Sequence, residues 1–443
     1  MKNLLTSVSD LRDELSRELT TSRQLVERYA ARIYEENSRW HCYRELNLDE
    51  ARIVADRLDR GPVSPSNVLR GIPVGVKDVF HLASIRARSG SATIFRTKGV
   101  ESSLSRHLGS IASPVLGLQT CHELAYGPLG DVSSPAPAVN PRDANLVAGG
   151  SSSGSAVAVA TGLAPLSFGT DTGGSIRTPA SVNALVGFMP AKNVVDTAGM
   201  NLLSPSLDRV GPIAADVESA YLGWLSLPDA PSLPNKLPAV DASASRIGIL
   251  SGASFDNLDS LVANGYEAFL SRFGERRALS AAVLDTTSGI EAQSVIVAAE
   301  AWGLYGPEAI DARSGMGPEV ASRVRRGQEI DQACYKRARD RATEFEIALQ
   351  RLLDEFDVLI CPTTPITIPR VRQRARDGAD GTENVYRAVT RHTSPFNVSS
   401  ASALTVPYDT TSANPLSVQI VTRQGHEALA FGLAATIERK YQR

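Results

Sequence analysis

The sequence predicts an α/β fold, on three observations. Short apolar runs that read as buried strands recur along the chain, as in GIPVGV before Lys77, SIASPVLGL before Gln119, Ile247–Leu250 and VLIC after Asp357. Stretches with apolar residues at helical spacing separate them. The chain is also long enough to bury a sizeable core, with 443 residues of which 42% are hydrophobic. The order of elements is too irregular for a plain Rossmann fold or barrel.

From Ser9 to Asn37, Leu11, Leu15 and Leu19 and then Leu25, Tyr29 and Ile33 recur every third or fourth residue, with Thr20–Ser22 as break and cap between two helices. Trp40–Leu46 reads as a strand and Leu48–Leu58 as a further helix. GIPVGVKDVF is a buried strand that delivers Lys77 at its tip. After a second strand near Val115, Gly127–Gly154 is dominated by Gly, Pro, Ser, Ala and Asn, and is expected to be irregular. SAVAVATG (155–162) fits a closely packed helix. Pro165–Thr170 then leads into another glycine-rich turn, so two Gly/Ser loops flank one buried helix. Leu227–Arg246 is the best linker in the chain, Glu319–Phe356 a charged amphipathic helical stretch, and Arg370–Glu383 a polar mobile loop.

Charge and cysteine usage exclude several functions. Forty-six basic residues nearly balance forty-eight acidic ones, for a formal charge of −2, and no long run of either sign offers a footprint for nucleic acid or an anionic membrane. Cys42, Cys121, Cys334 and Cys361 show no metal-ligand spacing and are expected to be reduced thiols, with no metal and no cofactor. MKNLLTSVSDLRDEL is too short in apolar residues and too acidic for a signal peptide, and nowhere do eighteen apolar residues run together. A cytoplasmic protein acting on a small molecule is expected.

Three segments carry the chemistry: Lys77 at the end of its apolar run, the loop Gly149–Ser155, and the loop Gly169–Arg177. A serine hydroxyl is a poor nucleophile until a base takes its proton, and a lysine serves only when uncharged. Burial among Val74, Val76 and Val79 disfavours the ammonium form. The turn Thr172-Gly-Gly-Ser175 is suited to aim successive backbone N–H groups at one substrate oxygen, as an oxyanion hole requires. Taken alone, a lysine after valines is usually a strand end reaching solvent, and a lone Gly/Ser loop usually a turn. Neither loop carries the GKS or GKT of a phosphate cradle. Gly150-Ser-Ser-Ser-Gly154 matches the nucleophile elbow G-x-S-x-G, which would select Ser152, but the polar, proline-broken AVNPRDANLVAGG stands where that motif needs a strand.

At these residues the sequence resembles the amidase signature family. GIPVGVKD is similar to the family's lysine motif, GGSSSGSAVAVATG to its glycine/serine hallmark and GTDTGGSIRTPAS to the segment holding its nucleophile. GLQTCHELAYG, SLDRVGPIA, DVLICPTTP and FNVSSASALTVP extend the likeness over nearly the whole chain. It implies a single large domain with a central mixed β-sheet flanked by helices, residues 1–60 forming a helical segment packed on a catalytic domain at 61–443, with a divergent, substrate-specific insert at about 228–327. It implies Lys77 as general base, Ser151 as a bridging serine on a cis peptide, and Ser175 as nucleophile. The N–H groups of Thr172, Gly173, Gly174 and Ser175 would form the oxyanion hole, Asp171 and Arg177 would steady the turn, and Cys121 and Tyr126 would run beside the substrate.

Ser153 stands where the family usually has glycine, Met189 where lysine is common, Ser417 where glycine is usual, and Ser400–Ser402 replace a GxP. None of these removes a catalytic group. The expected activity is cleavage of a small carboxamide through an acyl-Ser175 intermediate. The alternatives are the glutamine-hydrolysing subunit of an amidotransferase complex, or an acyltransferase that passes the acyl group to an amine. A non-catalytic binding protein on the same scaffold sits poorly with all three catalytic positions being filled, and a homodimer is compatible with each reading.

Overall fold

A computed structural model describes residues 5–61, 67–93, 100–230, 233–238, 245–274, 279–378 and 381–441. The helical preface forms as its periodicity predicts: α1 (Val8–Ser16) and α2 (Ser22–Trp40) bury Val8, Leu11, Leu25, Tyr29 and Ile33. Thr21 starts α2 with a capping box, its hydroxyl accepting from Gln24 N while Gln24 Oε1 accepts from Thr21 N. Then come β1 (Tyr43–Leu46), α3 (Leu48–Asp59), β2 (Val74–Lys77), α4 (Ser103–Ser110), β3 (Val115–Gln119), α5 (Ser153–Ala160), β4 (Leu166–Asp171), α6 (Arg177–Val182), β5 (Val186–Met189), β6 (Arg209–Ala214) and α7 (Val217–Leu225). The second half holds β7 (Ile247–Ser251), α8 (Ala253–Asp256), α9 (Ser260–Gly274), β8 (Leu279–Val283), α10 (Thr287–Ile310), α11 (Pro318–Arg325), α12 (Gln332–Glu355) and β9 (Val358–Pro362). It closes with β10 (Ala375–Gly378), β11 (Gly381–Asn384), α13 (Val385–Thr390), β12 (Ser402–Asp409), β13 (Leu416–Thr422) and α14 (Glu427–Tyr441).

Eleven strands make one mixed sheet in the order β1-β3-β2-β4-β6-β5-β12-β13-β9-β7-β8. β2 runs parallel to both β3 and β4, β7 parallel to both β8 and β9, and the antiparallel strands β6, β5, β12 and β13 lie between these two groups. Helices cover the faces, so β4 and β13 are buried along their whole length and β12 along all but its last residue, their polar side chains included. On one face α7 and α14 press Trp224 and Phe431 against Phe188 of β5, with Trp224 and Phe431 stacked at 5.6 Å between centroids and Tyr221 edge-on to both.

Four sequence expectations are corrected. Pro165–Thr170 is not merely a lead-in: Leu166–Asp171 is a fully buried strand in the middle of the sheet. The stretch Glu319–Phe356 is two helices, since the chain tightens into a 3₁₀ turn at Arg326–Glu329, where Gly327 lies against the carbonyl of Ala298, before Asp331 caps α12. The expected loop Arg370–Glu383 contains most of the hairpin β10–β11, paired from Ala375↔Asn384 to Gly378↔Gly381. The segment expected as a divergent insert holds a second sheet strand, β8, beside the strand expected at Ile247–Leu250. Of the linker expected at Leu227–Arg246, residues 231–232 and 239–244 lie outside the described residues.

This topology places the chemistry. β2 and β4 are parallel neighbours, so Lys77 and Asp171, each the last residue of its strand, emerge at the same edge of the sheet. α5 starts beside that edge, held by contact between backbones. A Cβ on Gly154 would lie 2.5 Å from Cys42 O and 2.6 Å from both Thr120 N and Thr120 O.

Candidate active site

Lys77 is fully buried, as are Val74 and Val76 beside it. Its Nζ lies 2.7 Å from Ser151 Oγ and 2.7 Å from Thr170 Oγ1. Burial draws its pKa down to about 8, opposed by the nearby carboxylates of Asp208 and Asp171, so about a tenth is uncharged at pH 7 and half at about pH 8. A neutral amine held between two hydroxyls can accept a proton from one of them.

Ser151 follows a cis peptide bond from Gly150. The loop around it is fixed through its backbone: Gly150 N donates to Pro128 O at 2.7 Å, and Ser151 O accepts from His122 N at 3.0 Å. Ser152 is buried and turned away, its hydroxyl set against the β4 backbone at Thr170 O and Thr170 N. That orientation counts against the nucleophile-elbow reading of G-x-S-x-G.

The turn after β4 is built around a buried ion pair. Burial alone would push the Asp171 carboxyl up, but the Arg177 guanidinium, at 2.9 and 3.0 Å, with Asn397 Nδ2 and the backbone N–H of Gly174, holds it well below the usual carboxylate range. Asp171 also accepts from Ile176 N at 3.1 Å. Arg177 reaches on to Thr393 O, Gln419 Oε1 and Asn397 Oδ1, which ties the turn to β13 and the segment before β12. These bonds correct one sequence expectation. The N–H of Gly174 is committed to Asp171 Oδ1 at 2.7 Å and does not point into the cleft. The N–H groups of Thr172, Gly173 and Ser175 meet no acceptor among the described residues.

Every carbonyl of the turn is held from behind. Thr172 O accepts from Gln293 Nε2 at 3.1 Å, Gly173 O from Thr393 Oγ1 at 2.9 Å, Gly174 O from Thr178 N at 2.7 Å and Ser175 O from Ser152 N at 3.2 Å. A peptide plane whose carbonyl is fixed has its neighbouring N–H direction fixed too. Thr172 is anchored a second time, its hydroxyl donating at 2.5 Å to Asp208, a carboxyl raised by burial to about 6. Ser175 keeps 9% of its surface exposed, whereas Lys77 and Ser151 keep none. Among the described residues no hydrogen bond joins the Ser175 and Ser151 hydroxyls.

Cys121 is fully buried, and burial raises its thiol, so it is a packed, protonated group. Tyr126 presents its ring face to the Arg323 guanidinium, 4.3 Å from the centroid. Beyond it the sequence reading missed a cluster. Arg323 also lies 4.6 Å from the Tyr386 ring, and His122 meets Tyr386 edge-on at 6.2 Å. Both ring nitrogens of His122 and Nη1 of Arg323 are buried without a hydrogen-bond partner among the described residues. Burial, then the charges of Arg323, Arg374 and Lys77, keep the imidazole neutral. Thr170, Asp208 and His122 fall inside motifs quoted above and could have been found there. Gln293 and Arg323 lie outside those motifs. Among the described residues no group of His, Cys, Asp or Glu gathers to hold a metal ion, and no helix is long and apolar enough to cross a membrane.

The chain is similar to known proteins over nearly its whole length. The chain is 27% identical to the A subunit of the glutamyl-tRNA(Gln) amidotransferase of Clostridium botulinum, over 97% of its length and 96% of the relative's. It is 30% identical to the protein of the same name from a Synechococcus strain, over 98% and 96%. Its fold superposes on a solved amidase with a TM-score of 0.91 at 26% identity, covering 98% of this chain and 100% of the other. A chain from a vestigial protein complex that bears on the evolutionary origins of an s-triazine catabolic enzyme gives 0.89 at 25%, covering 98% of each. With the family model described as Amidase matching residues 24–226 and 253–431, on both sides of the Pro- and Ser-rich segment, the chain belongs to the amidase signature family.

Proposed function

We propose that the protein hydrolyses a small-molecule carboxamide through an acyl-Ser175 intermediate. The observation that carries this reading is the fully buried Lys77, its pKa drawn down to about 8 and its Nζ 2.7 Å from Ser151 Oγ. In the proposed mechanism neutral Lys77 takes the Ser151 proton as Ser151 takes that of Ser175, and Ser175 Oγ attacks the amide carbon. The N–H groups of Gly173 and Ser175, with that of Thr172, receive the developing oxyanion. The proton returns through Ser151 to the leaving nitrogen, the C–N bond breaks, and water then releases the acid by the same route. The unpartnered nitrogens of His122 and Arg323 favour an acyl part that carries hydrogen-bond acceptors. Cys121 and Tyr126 would line its path. On this reading residues 1–60 are a helical segment packed on one catalytic domain at 61–443, and the enzyme works in the cytoplasm without a cofactor, alone or as a homodimer.

A second reading is favoured by the names of the curated relatives: the chain would release ammonia from glutamine for a partner that consumes it. The purified chain, offered a panel of simple carboxamides and glutamine, separates the two. Ammonia and free acid from simple carboxamides, with glutamine no better, supports the hydrolase. Activity confined to glutamine and dependent on an added partner supports the amidotransferase reading. Adding an amine and recovering its amide in place of the acid would point to acyl transfer.

A further inference from the structure

Gln293 lies in α10, outside the lysine and serine motifs, and among the described residues it makes no hydrogen bond to Lys77, Ser151 or Ser175. Its side-chain amide nevertheless reaches the turn before the nucleophile, donating from Nε2 to Thr172 O at 3.1 Å. The orientation of this amide is settled by its partner, because a carbonyl oxygen only accepts. The approach depends on Gly173: a Cβ there would lie 2.7 Å from Gln293 Nε2 and would push the amide off. The peptide that carries Thr172 O also carries the N–H of Gly173, which has no acceptor among the described residues. Gln293 therefore grips the back of the peptide whose front faces the cleft. α10 can hold that grip because it is itself fixed, with Ala292 and Ile296 fully buried on either side of Gln293. Tyr305 at its far end donates to Leu202 O at 2.6 Å.

We infer that Gln293 is a positioning residue for the oxyanion turn, so that α10, which carries none of the catalytic groups, contributes to the rate of acyl transfer. The inference rests on the amide-hydrolase reading. An oxyanion donor acts only when aimed at the place where charge develops, and losing one outright costs about 10²–10³ in kcat. Loosening the peptide behind it costs less.

The test uses Gln293→Met, which keeps length and removes the donor, and Gln293→Glu, which donates only when protonated. For each, kcat, KM, the melting temperature and the rate at which a fluorophosphonate labels Ser175 are measured against the unaltered enzyme. Gln293→Met is expected to lower kcat and the labelling rate together by about tenfold, with KM within twofold and the melting temperature unchanged. The kcat of Gln293→Glu relative to the unaltered enzyme should recover as pH falls through the new carboxyl's pKa, while that of Gln293→Met stays flat. A kcat within twofold of the unaltered enzyme in Gln293→Met, or a loss seen wholly in KM, overturns the inference. A loss matched by a fall in melting temperature and equal in both variants at every pH overturns it too. If the unaltered enzyme neither cleaves carboxamides nor takes the label at Ser175, it is the hydrolase reading that fails.

Discussion

Lys77 shows how far one residue's chemistry is set by its surroundings. With a folded pKa near 8 against 10.5 for the ordinary side chain, the folded protein binds fewer protons than the unfolded chain between those values. Burying the charge therefore costs stability below about pH 8, and the cost fades as pH rises toward 10.5. Two outcomes follow. The kcat/KM for amide cleavage should climb with pH through about 8 as Lys77 loses its proton. Lys77→Met should lose at least ~10³-fold in kcat, since a serine without its base is nearly inert, yet melt at the same temperature or higher at pH 7. A pH–rate profile and a thermal melt check these. Arg177→Met is the opposite case: removing one partner of a buried pair leaves Asp171 uncompensated, for a loss of about 3–5 kcal/mol in a denaturant titration. Both residues were legible in the sequence because they sit in contiguous motifs. Gln293 and Thr393 were not, since what makes them matter is a tertiary contact to a turn more than a hundred positions away.

At the scale of elements, local sequence was a good guide wherever local forces decide the outcome. The break at Thr20–Ser22 was legible because Thr21 and Gln24 form a complete capping box. The lysine strand and the small-residue helix were legible because they are uniformly apolar. The division of Glu319–Phe356 was hidden, because Gly327 has to meet the Ala298 backbone of α10, a partner no local pattern reveals. The β10–β11 hairpin was hidden too, as its residues alternate polar with polar. The start of α5 is where an element most directly carries the site, because it follows the Gly150–Ser151 loop and packs on the backbone of Cys42 and Thr120. Gly154→Ala should force these apart, costing about 1–3 kcal/mol of stability and lowering kcat more than KM as Ser151 is displaced. A denaturant titration beside steady-state kinetics reads both effects.

For the whole molecule, the α/β class was legible but the strand order was not. Strands of four to eight residues carry no mark of which neighbour they will pair with, and only the fold brings β12 of the C-terminal half beside β5, with β13 next to it. That closure lets Asn397 and Gln419 complete the cage around Asp171 and Arg177. The α14 helix secures it by stacking Phe431 on Trp224, so Phe431→Ala should cost about 3–5 kcal/mol in stability while leaving kcat per folded molecule unchanged. The central claim, that Lys77 acting through Ser151 arms Ser175, is tested most directly by treating the intact protein with a fluorophosphonate and locating the modified residue by mass spectrometry. The predicted result is a single adduct on Ser175 that is lost in Lys77→Met. An adduct on Ser152, or undiminished labelling of Ser175 without Lys77, would contradict it.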